Sequence, residues 1–257
     1  MYNMKQGDFT TLAKNYIHRT GYSELVLKYI ADHVGAFKDN FGVAEIGAGT
    51  GKLTENLLNL GLKVIAVEPN DSMREEGIRY TVDKNVKWRK GTGEETGLDT
   101  SSANWLLMGS SFHWVDLKKG LNEFHRVLKD SGHFTALWNP RDIGRSEWHL
   151  NIENGIKKIV PELKRVSSGS GEFTKFLSRD LSSTGQFTDV VYMEQEYDIL
   201  MSKDRYMGAW HSTNDIQAQA GIDRWKKIID MIEYEVSKLE VIPVPYKTRA
   251  WTCRKVV

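Results

Sequence analysis

Between residues 42 and 139 the sequence alternates short apolar runs with segments that repeat their apolar residues at the spacing of an α-helix. This alternation restricts the fold, because parallel strands need a crossover connection, and that connection is usually a helix. The crossover helices then cover both faces of the sheet. Five strands are predicted in this stretch, at residues 43–46, 63–67, 86–89, 105–109 and 133–138. The pattern predicts an α/β fold with a doubly wound, mostly parallel sheet.

The segments between these strands carry signals for the ends of helices. The helix after the first strand is expected to end at Gly61. The next helix is expected to be capped by Asp71 or Ser72, whose side chains can accept hydrogen bonds from the first free backbone amides. Its apolar residues Met73 and Ile78 should then face the sheet.

The sequence on both sides of this stretch adds helices and two further strands. Residues 9–34 have a helical pattern that is interrupted at Thr20-Gly21, and we interpret this leading segment as a lid. After residue 139 we predict a helix at 147–160, a flexible loop at 167–171, a strand at 187–200, helices at 202–221 and 222–239, and a last strand at 241–254. The sheet would be Rossmann-like, with seven strands and a helical insertion before the last one.

Charge and cysteine content exclude several classes of protein. The chain has 35 basic and 34 acidic side chains, a formal charge of +1, so its overall field does not favour nucleic acid or an anionic membrane. The single cysteine, Cys253, cannot form an internal disulfide, and the polar residues 1–10 lack the apolar stretch of a signal peptide. No apolar run reaches the roughly 18 residues of a membrane span, and no Cys/His cluster suggests zinc. We expect a soluble, cytoplasmic monomer or homodimer without a metal, a membrane or a nucleic-acid partner.

The strongest local signal is Glu45-Ile46-Gly47-Ala48-Gly49-Thr50-Gly51, which follows an apolar strand and leads into a helix. Glycines let the backbone turn sharply and approach a ligand closely. A dinucleotide-binding fingerprint would need a glycine where Lys52 stands, and a P-loop would need a glycine at Ile46 and a hydroxyl at Leu53. What remains is an acidic-x-Gly-x-Gly-x-Gly turn that faces a ligand without a pyrophosphate.

A second signal is the acidic residue that ends the predicted second strand. Glu68 follows Gly51 by seventeen residues. A carboxylate at this position of a doubly wound fold can accept hydrogen bonds from both hydroxyls of a ribose. The glycine turn and Glu68 together indicate a nucleoside-containing cofactor.

The motifs of this chain, in their order, resemble those of class I methyltransferases. The matching segments are residues 45–51, Glu68-Pro69-Asn70 with Met73, and residues 91–94, 110–114 and 126–129. Residues 112–114 and 136–139, and also 210–212 and 244–248, resemble more narrowly the trans-aconitate methyltransferase-like proteins. The similarity covers nearly the whole chain and implies S-adenosylmethionine as the cofactor.

The resemblance also implies roles for the matching residues. The backbone of residues 47–51 would hold the methionine part of the cofactor, Glu68 its ribose, and Arg19 its carboxylate. Met73 and the turn at residues 92–94 would border the adenine. The full set expected at the cofactor is Arg19, Glu45, Gly47, Ala48, Gly49, Gly51, Glu68, Pro69, Met73, Thr92, Gly93, Glu94 and Ser110.

His113 is the candidate catalytic residue. Methyl transfer from a sulfonium requires alignment of the acceptor atom and a dry site, and His113 should lie past the carboxyl end of the fourth strand, where open α/β sheets bind ligands. A hydroxyl acceptor benefits from a base, so His113 is either that base or a residue that only orients its surroundings. A carboxylate acceptor would need no base. The expected walls of the acceptor pocket are Trp114, Trp138, Tyr206, Trp210 and His211.

We therefore predict a methyltransferase that acts on a hydroxyl or carboxylate oxygen of a small molecule. Two alternatives stay open: a catalytically silent module that keeps the cofactor site, and an NAD-dependent oxidoreductase, against which Lys52 argues. A single domain is expected over residues 1–257. It would contain a helical lid at 1–40, a cofactor-binding half at 41–140, and a substrate-side half at 141–257 with the helical insertion at about 202–240.

Overall fold

The computed structural model describes residues 10–82, 84–164 and 171–257. Their strands are β1 (Val43–Ile46), β2 (Val64–Val67), β3 (Val86–Arg89), β4 (Ala103–Gly109), β5 (Leu128–Trp138), β6 (Phe187–Met201) and β7 (Ile242–Lys255). They form one sheet in the order β3-β2-β1-β4-β5-β7-β6. The first five strands pair in parallel, and β7 is antiparallel to β5. The predicted fold class, a mostly parallel seven-stranded α/β sheet, is confirmed.

The direction in which strands are added reverses between β1 and β4. The chain adds β2 and β3 on one side of β1 and then returns to add β4 and β5 on the other side. Open α/β sheets bind ligands at the carboxyl ends of the strands at such a reversal. Because β1 ends at Ile46 and β4 ends at Gly109, the segments that begin with Gly47 and Ser110 lie at this edge.

Helices connect and flank the strands. They are α1 (Ala13–Tyr16), α2 (Glu24–Val34), α3 (Lys52–Asn59), α4 (Asp71–Tyr80), α5 (Leu117–Val127), α6 (Glu147–Ile159), α7 (Glu172–Lys175), α8 (Leu177–Ser182), α9 (Lys203–His211) and α10 (Asn214–Val236), with short 3-10 helices at Thr10–Leu12, Phe112–Trp114 and Ile143–Arg145. None of the helices in the described parts of the chain is both long and apolar enough to cross a membrane.

The chain divides into two compact units. The first, here called the sheet unit, consists of Gly21–Pro140, Ser167–Gln195 and Lys247–Val257. The second, here called the helical unit, consists of Met1–Thr20, Arg141–Val166 and Glu196–Tyr246. Most of the motifs that the sequence analysis singled out lie in the sheet unit.

Apolar side chains on both faces of its strands form the core of the sheet unit. Successive residues of a strand point to opposite faces, so Leu106 and Met108 of β4 pack into one cluster, and Trp105 and Leu107 pack into the other. All four are buried. This double burial explains why the central strands are continuous apolar runs in the sequence rather than alternating ones.

A short polar chain and a thiol lie inside the sheet where β5 pairs with β7. The Trp105 indole donates a hydrogen bond to Thr135 Oγ1 at 2.8 Å, and Thr135 and Thr252 share a hydrogen bond of 3.0 Å. Beside them, the Cys253 thiol donates to the carbonyl of Phe134 at 3.7 Å. Cys253 is fully buried, and burial raises the pKa of its thiol to about 12.

The helical unit has a core of its own. Residues of α6, α9 and α10 pack with the first half of β7, and the buried members include Ile152, Ile156, Tyr206, Trp210, Ile228 and Ile232. Tyr206 and Trp210 are 0% and 1% exposed. These two aromatic residues are therefore held in fixed positions by packing.

Two details of α4 differ from the prediction. The residue that caps this helix is Asn70, whose Oδ1 accepts a hydrogen bond from the Met73 amide at 3.0 Å, rather than Asp71 or Ser72. Met73 is buried as expected, but Ile78 is 47% exposed. Gly77 faces the sheet instead, because the Trp88 ring fills that space: a Cβ at Gly77 would lie 2.2 Å from it.

The ends of several other helices also differ. Between residues 9 and 34 the predicted interruption at Thr20-Gly21 is confirmed, because α1 ends at Tyr16 and α2 begins at Glu24, and Phe9 lies outside the described residues. Most of the predicted loop at 167–171 lies outside them as well. In the insertion, α9 ends at His211, not at Gly221. Gly221 has φ +71° and interrupts α10, because a left-handed backbone conformation cannot continue a helix.

Candidate cofactor site and the histidine beside it

The glycine turn after β1 is anchored to the end of β2. The amides of Gly47 and Ala48 both donate to the carbonyl of Val67, at 2.8 and 3.0 Å. Gly47, Gly49 and Gly51 have φ values of +69°, +58° and +84°, which L side chains rarely adopt. A Cβ at Gly47 would also lie 2.7 Å from Ser111 Oγ. The motif needs glycine both for its conformation and for the space around it.

Glu68 joins this turn to the start of α4. One carboxylate oxygen accepts from the Gly49 amide at 2.8 Å and the other from the Asn70 amide at 2.9 Å. The residue is 7% exposed, and burial raises the pKa of its carboxyl, while the amides of Asn70 and Gly49 and the charge of Arg74 oppose the rise. Each carboxylate oxygen can accept a further hydrogen bond, so Glu68 fits the two hydroxyls of a ribose.

Glu45 lies in β1, two residues before the glycine turn, and its carboxyl is buried. It is 2% exposed, and its carboxyl accepts a hydrogen bond from the Thr54 hydroxyl at 2.5 Å. Burial raises the pKa of Glu45 to about 8, Thr54 opposes the rise, and the charge of Glu68 adds to it. At neutral pH Glu45 is therefore mainly protonated in the absence of a cation.

The turn at residues 92–94 is held by its own side chains. The Thr92 hydroxyl accepts from the Glu95 amide at 3.0 Å, and the carboxylate of Glu94 accepts from the Asp116 amide at 2.9 Å. Gly93 packs so closely on Val115 that a Cβ would lie 2.4 Å from that side chain. These contacts fix the turn against the chain that follows Trp114.

A strained residue begins the segment after β4. Ser110 has φ +54°, which is unusual for a residue with a side chain. Its amide donates to the carbonyl of Leu137 at 2.7 Å, and its hydroxyl accepts from Tyr22 at 3.0 Å. Ser111 donates to the carbonyl of Ile46 at 3.2 Å, which joins this segment to the end of β1. The glycine turn and the 3-10 helix that contains His113 are thus connected directly.

His113 is a neutral residue whose two ring nitrogens have different roles. The Trp138 indole N–H donates to His113 Nδ1 at 3.3 Å. Burial lowers the pKa of His113 to about 4, so the ring is uncharged at neutral pH. A neutral imidazole that accepts at Nδ1 carries its hydrogen on Nε2. In this arrangement Nε2 is a hydrogen-bond donor.

The predicted acceptor residues lie in both units. Trp114 and Trp138 lie beside His113 in the sheet unit, with ring centroids 4.7 and 6.4 Å from its ring; Trp114 is 51% exposed, whereas Trp138 is fully buried. Phe173, which no sequence motif indicated, packs against both His113 and Trp138. Phe173 lies in the four-residue helix α7, which is too short to give a periodic signal in the sequence.

The other predicted site residues lie in the helical unit. Arg19 donates from Nε to the Ser212 hydroxyl at 2.7 Å and from Nη2 to the Ser212 carbonyl at 3.0 Å. The His211 ring packs against Trp225, with 6.1 Å between ring centroids. Tyr206 and Trp210 belong to the core of the same unit. Arg141, whose guanidinium lies over both of these rings, was missed, because no motif of the sequence includes it.

The sequence family described as "Methyltransferase domain" matches residues 44–136, which include the glycine turn, Glu68 and His113. An uncharacterized methyltransferase of Mycobacterium tuberculosis is 40% identical over 100 residues, which are 39% of this chain and 40% of that protein. One of Schizosaccharomyces pombe is 29% identical over 134 residues, 52% of each chain. The matches therefore span about two fifths to one half of these curated relatives.

Solved structures share the fold across most of the chain. A protein of Anaeromyxobacter dehalogenans that is provisionally named a type II methyltransferase superposes with a TM-score of 0.63 at 16% identity, covering 92% of this chain and 97% of that one. A S-adenosylmethionine-dependent methyltransferase of Thermotoga maritima gives a TM-score of 0.50 at 21% identity, covering 96% and 98%. At these identities the likeness concerns the fold. The matched domain, the named relatives and the fold together show that this chain contains a methyltransferase domain with a Rossmann-like α/β fold.

Proposed function

We propose that this protein transfers the methyl group of S-adenosylmethionine to an oxygen atom of a small molecule, and that this oxygen belongs to a carboxylate. The observation that carries the proposal is the hydrogen bond from Trp138 to His113 Nδ1, beside a glycine turn and an acidic residue of methyltransferase spacing. The formal charge of +1 supports a small-molecule acceptor over nucleic acid.

The cofactor supplies an electrophilic methyl group on a sulfonium. The backbone of Gly47, Ala48, Gly49 and Gly51 would hold its methionine part, and Glu68 its ribose. Met73 and residues 92–94 would border the adenine, with Pro69 and Ser110 completing the pocket. Glu45 would recover its negative charge beside the bound cation, because a nearby positive charge lowers the pKa of a carboxyl. A role for Arg19 at the cofactor stays a prediction.

His113 would direct the acceptor rather than deprotonate it. Its Nε2–H can donate a hydrogen bond to an acceptor oxygen, but Nε2 has no free lone pair while Nδ1 accepts from Trp138. A carboxylate already has a nucleophilic oxygen lone pair and needs no base, so a donor that orients it is sufficient. A hydroxyl acceptor would need the other tautomer and the loss of the Trp138 hydrogen bond. Contacts of Trp114, Tyr206, Trp210 and His211 with the acceptor stay predictions.

The proposal is tested with the purified full chain, S-adenosylmethionine and two matched sets of metabolites. One set carries carboxylates, and the other carries hydroxyls on the same carbon skeletons. We expect S-adenosylhomocysteine to form with a carboxylate, and calorimetry to detect binding of S-adenosylhomocysteine but not of NAD. Turnover confined to hydroxyl acceptors would contradict the carboxylate assignment. Cofactor binding without turnover of either set would indicate a silent module, and equal affinity for NAD would overturn the whole proposal.

A further inference from the structure

The helical unit contains an arginine whose backbone is fixed and whose charge is not paired with a carboxylate. Arg141 follows β5 by three residues and forms an isolated antiparallel bridge with Tyr246. The next amide, that of Asp142, donates to the carbonyl of Pro245 at 2.8 Å. Arg141 is therefore attached to the first half of β7, and its side chain extends from a rigid base.

The guanidinium of Arg141 is held on two aromatic faces. Its central carbon lies 4.3 Å from the centroid of the Trp210 ring and 5.3 Å from that of Tyr206. Both rings are buried. Stacking on ring faces holds the plane of a guanidinium and leaves the N–H groups at its edges available for hydrogen bonds.

Within the described residues, no carboxylate forms an ion pair with this guanidinium. Burial works against its charge, yet the phenols of Tyr246 and Tyr206 and the more distant Glu153 keep the pKa of Arg141 above its ordinary value. Arg145, four residues later, differs: its guanidinium pairs with Asp198 at 3.2 Å and with Glu196 at 3.7 Å. A buried positive charge without a counter-ion is unfavourable, which suggests that a ligand provides the negative charge.

Polar atoms around Arg141 also lack hydrogen-bond partners. Tyr206 Oη, Trp210 Nε1 and His149 Nε2 are buried and make no hydrogen bond of good geometry with the described residues, although the Trp210 indole lies near enough to Tyr206 Oη to oppose the rise that burial causes in the pKa of this phenol. His149 is 2% exposed, and burial followed by the charge of Arg141 lowers its pKa to about 3, so it is neutral at neutral pH. The Tyr206 hydroxyl and the Trp210 indole can each donate one hydrogen bond. One cation and at least two neutral donors therefore lie together.

We infer that Arg141, Tyr206 and Trp210 form a binding site for a small carboxylate. The guanidinium is planar and can bind both oxygens of a carboxylate at once. Its single positive charge, with neutral donors beside it, balances one negative charge better than the nearly two charges of a phosphate. Tyr206 and Trp210 are also predicted walls of the acceptor pocket, so the inference deepens the proposed function and, as a site for the acceptor, rests on it. Acetate binding is measured without methyl transfer, so the two proposals can fail separately.

The test observes the Trp210 indole directly. The full chain is labelled with ¹⁵N at its tryptophan indoles, and the Trp210 signal is assigned by its loss in Trp210→Phe. We expect acetate to shift this signal in a saturable way, while acetamide, which has the same shape without the charge, does not. Inorganic phosphate should bind at least about tenfold more weakly than acetate. Phosphate binding as tight as acetate binding, or equal shifts with acetamide, would overturn the inference.

Variants at Arg141 and Arg145 separate binding from structure. Arg141→Met keeps an unbranched side chain on the aromatic faces but removes the charge, so it should keep the parental melting temperature or raise it and weaken acetate binding by about tenfold or more. Arg145→Met is the matched control and should leave acetate binding unchanged. If Arg141→Met does not fold, Arg141→Lys keeps the charge without the planar fork and should still weaken binding. Unchanged acetate affinity in a folded Arg141 variant would overturn the site. S-adenosylhomocysteine affinity, measured in parallel, tests the proposed function separately.

Discussion

At the scale of single residues, Glu68 connects two parts of the candidate cofactor site. Its two carboxylate oxygens hold the amides of Gly49 and Asn70, so the side chain positions the glycine turn as well as any ribose. We expect Glu68→Gln to weaken S-adenosylhomocysteine binding by about 1.5 to 3 kcal/mol, the range for hydrogen bonds to a charged group, which is about 10- to 150-fold in affinity.

Calorimetry measures this change, and a thermal melt of Glu68→Gln checks that the variant is folded. Glu75→Gln serves as the control, because Glu75 lies on the exposed side of α4 in a surface ion pair with Arg79. Parental affinity in a folded Glu68→Gln protein would remove Glu68 from the site.

A second prediction at the residue scale follows from the tautomer of His113, which carries its hydrogen on Nε2. Glutamine can donate a hydrogen bond as Nε2–H does, so His113→Gln should keep turnover within about tenfold of the parent, whereas His113→Ala should lose about 10²-fold or more. Turnover should show no ionisation of His113 between pH 6 and 9, since a pKa of about 4 leaves the ring neutral throughout that range.

Nitrogen chemical shifts of His113 provide a direct check. They should show the hydrogen on Nε2 in the parent, and this preference should weaken in Trp138→Phe, which removes the indole donor. A pH profile with an ionisation near 6 to 7 that disappears in His113→Gln would mean that His113 acts as a base.

The sequence analysis singled out the residues of the candidate site that belong to contiguous motifs, but not the distant residues that contact them. The glycine turn and Glu68 could be predicted because strand, turn and acidic residue have fixed spacing. The indole that fixes His113 is 25 residues away in sequence. Trp138, whose role as a wall of the acceptor pocket stays a prediction, is buried and donates a hydrogen bond to His113. Spacing along a chain does not contain such information, because the pairing depends on which strands become neighbours.

At the scale of elements, α4 lies close to the sheet because it presents a glycine there. We expect Gly77→Ala to destabilise the protein by about 1 to 3 kcal/mol, as overpacking of a core does, although alanine is normally the better helix former. The new methyl group would meet the Trp88 ring, whose indole is fixed by a hydrogen bond to Thr81 at 2.9 Å. Urea unfolding measures the effect.

The matched control is Gly144→Ala, because a Cβ at Gly144 has no atom within 4 Å and the backbone there is not left-handed. It should change stability by less than about 0.5 kcal/mol. Adding Trp88→Phe to Gly77→Ala should recover part of the loss, since a smaller ring leaves room for the methyl group. Equal stabilities of the two alanine variants would show that α4 can shift without penalty.

Gly77 also shows why one helix face was predicted wrongly. The apolar periodicity of the helix predicted that Ile78 faces the sheet. That prediction assumes side chains of ordinary size between the helix and the sheet. The large Trp88 ring of β3 fills this space, so the helix places Gly77, which has no side chain, against the sheet. The central strands were predicted more accurately. Because they are buried on both faces, they are continuous apolar runs that can be recognised without knowing which elements pack against them.

At the scale of the whole molecule, the buried Glu45 should make stability depend on pH. Its folded pKa of about 8 lies above its unfolded value of about 4.5, so the folded state holds a proton that the unfolded chain releases. The contribution of Glu45 to the free energy of unfolding is therefore largest below about pH 4.5, and it declines as the pH rises towards 8. Glu45→Gln mimics the protonated form and should therefore gain stability over the parent by about 1 kcal/mol per pH unit between pH 5 and 8.

Urea unfolding without cofactor at pH 5, 6, 7 and 8 measures the difference between the two proteins. Glu75→Gln, a change on the surface, is the control for the loss of a carboxylate that is not buried. A constant difference for Glu45→Gln would mean that Glu45 is ionised in the folded protein.

The reactivity of the buried Cys253 thiol of β7 can be used to measure how often the sheet opens. A thiol is alkylated as its thiolate, and Cys253 is both inaccessible and, with a pKa of about 12, almost entirely protonated. Since it is the only cysteine, iodoacetamide should label the native protein only when β7 separates from β5. Labelling, followed by mass spectrometry, should then be as slow as opening of the sheet and faster in Gly77→Ala than in Gly144→Ala. The rate of labelling thus reports how often the sheet opens, without the need to introduce a cysteine by mutation.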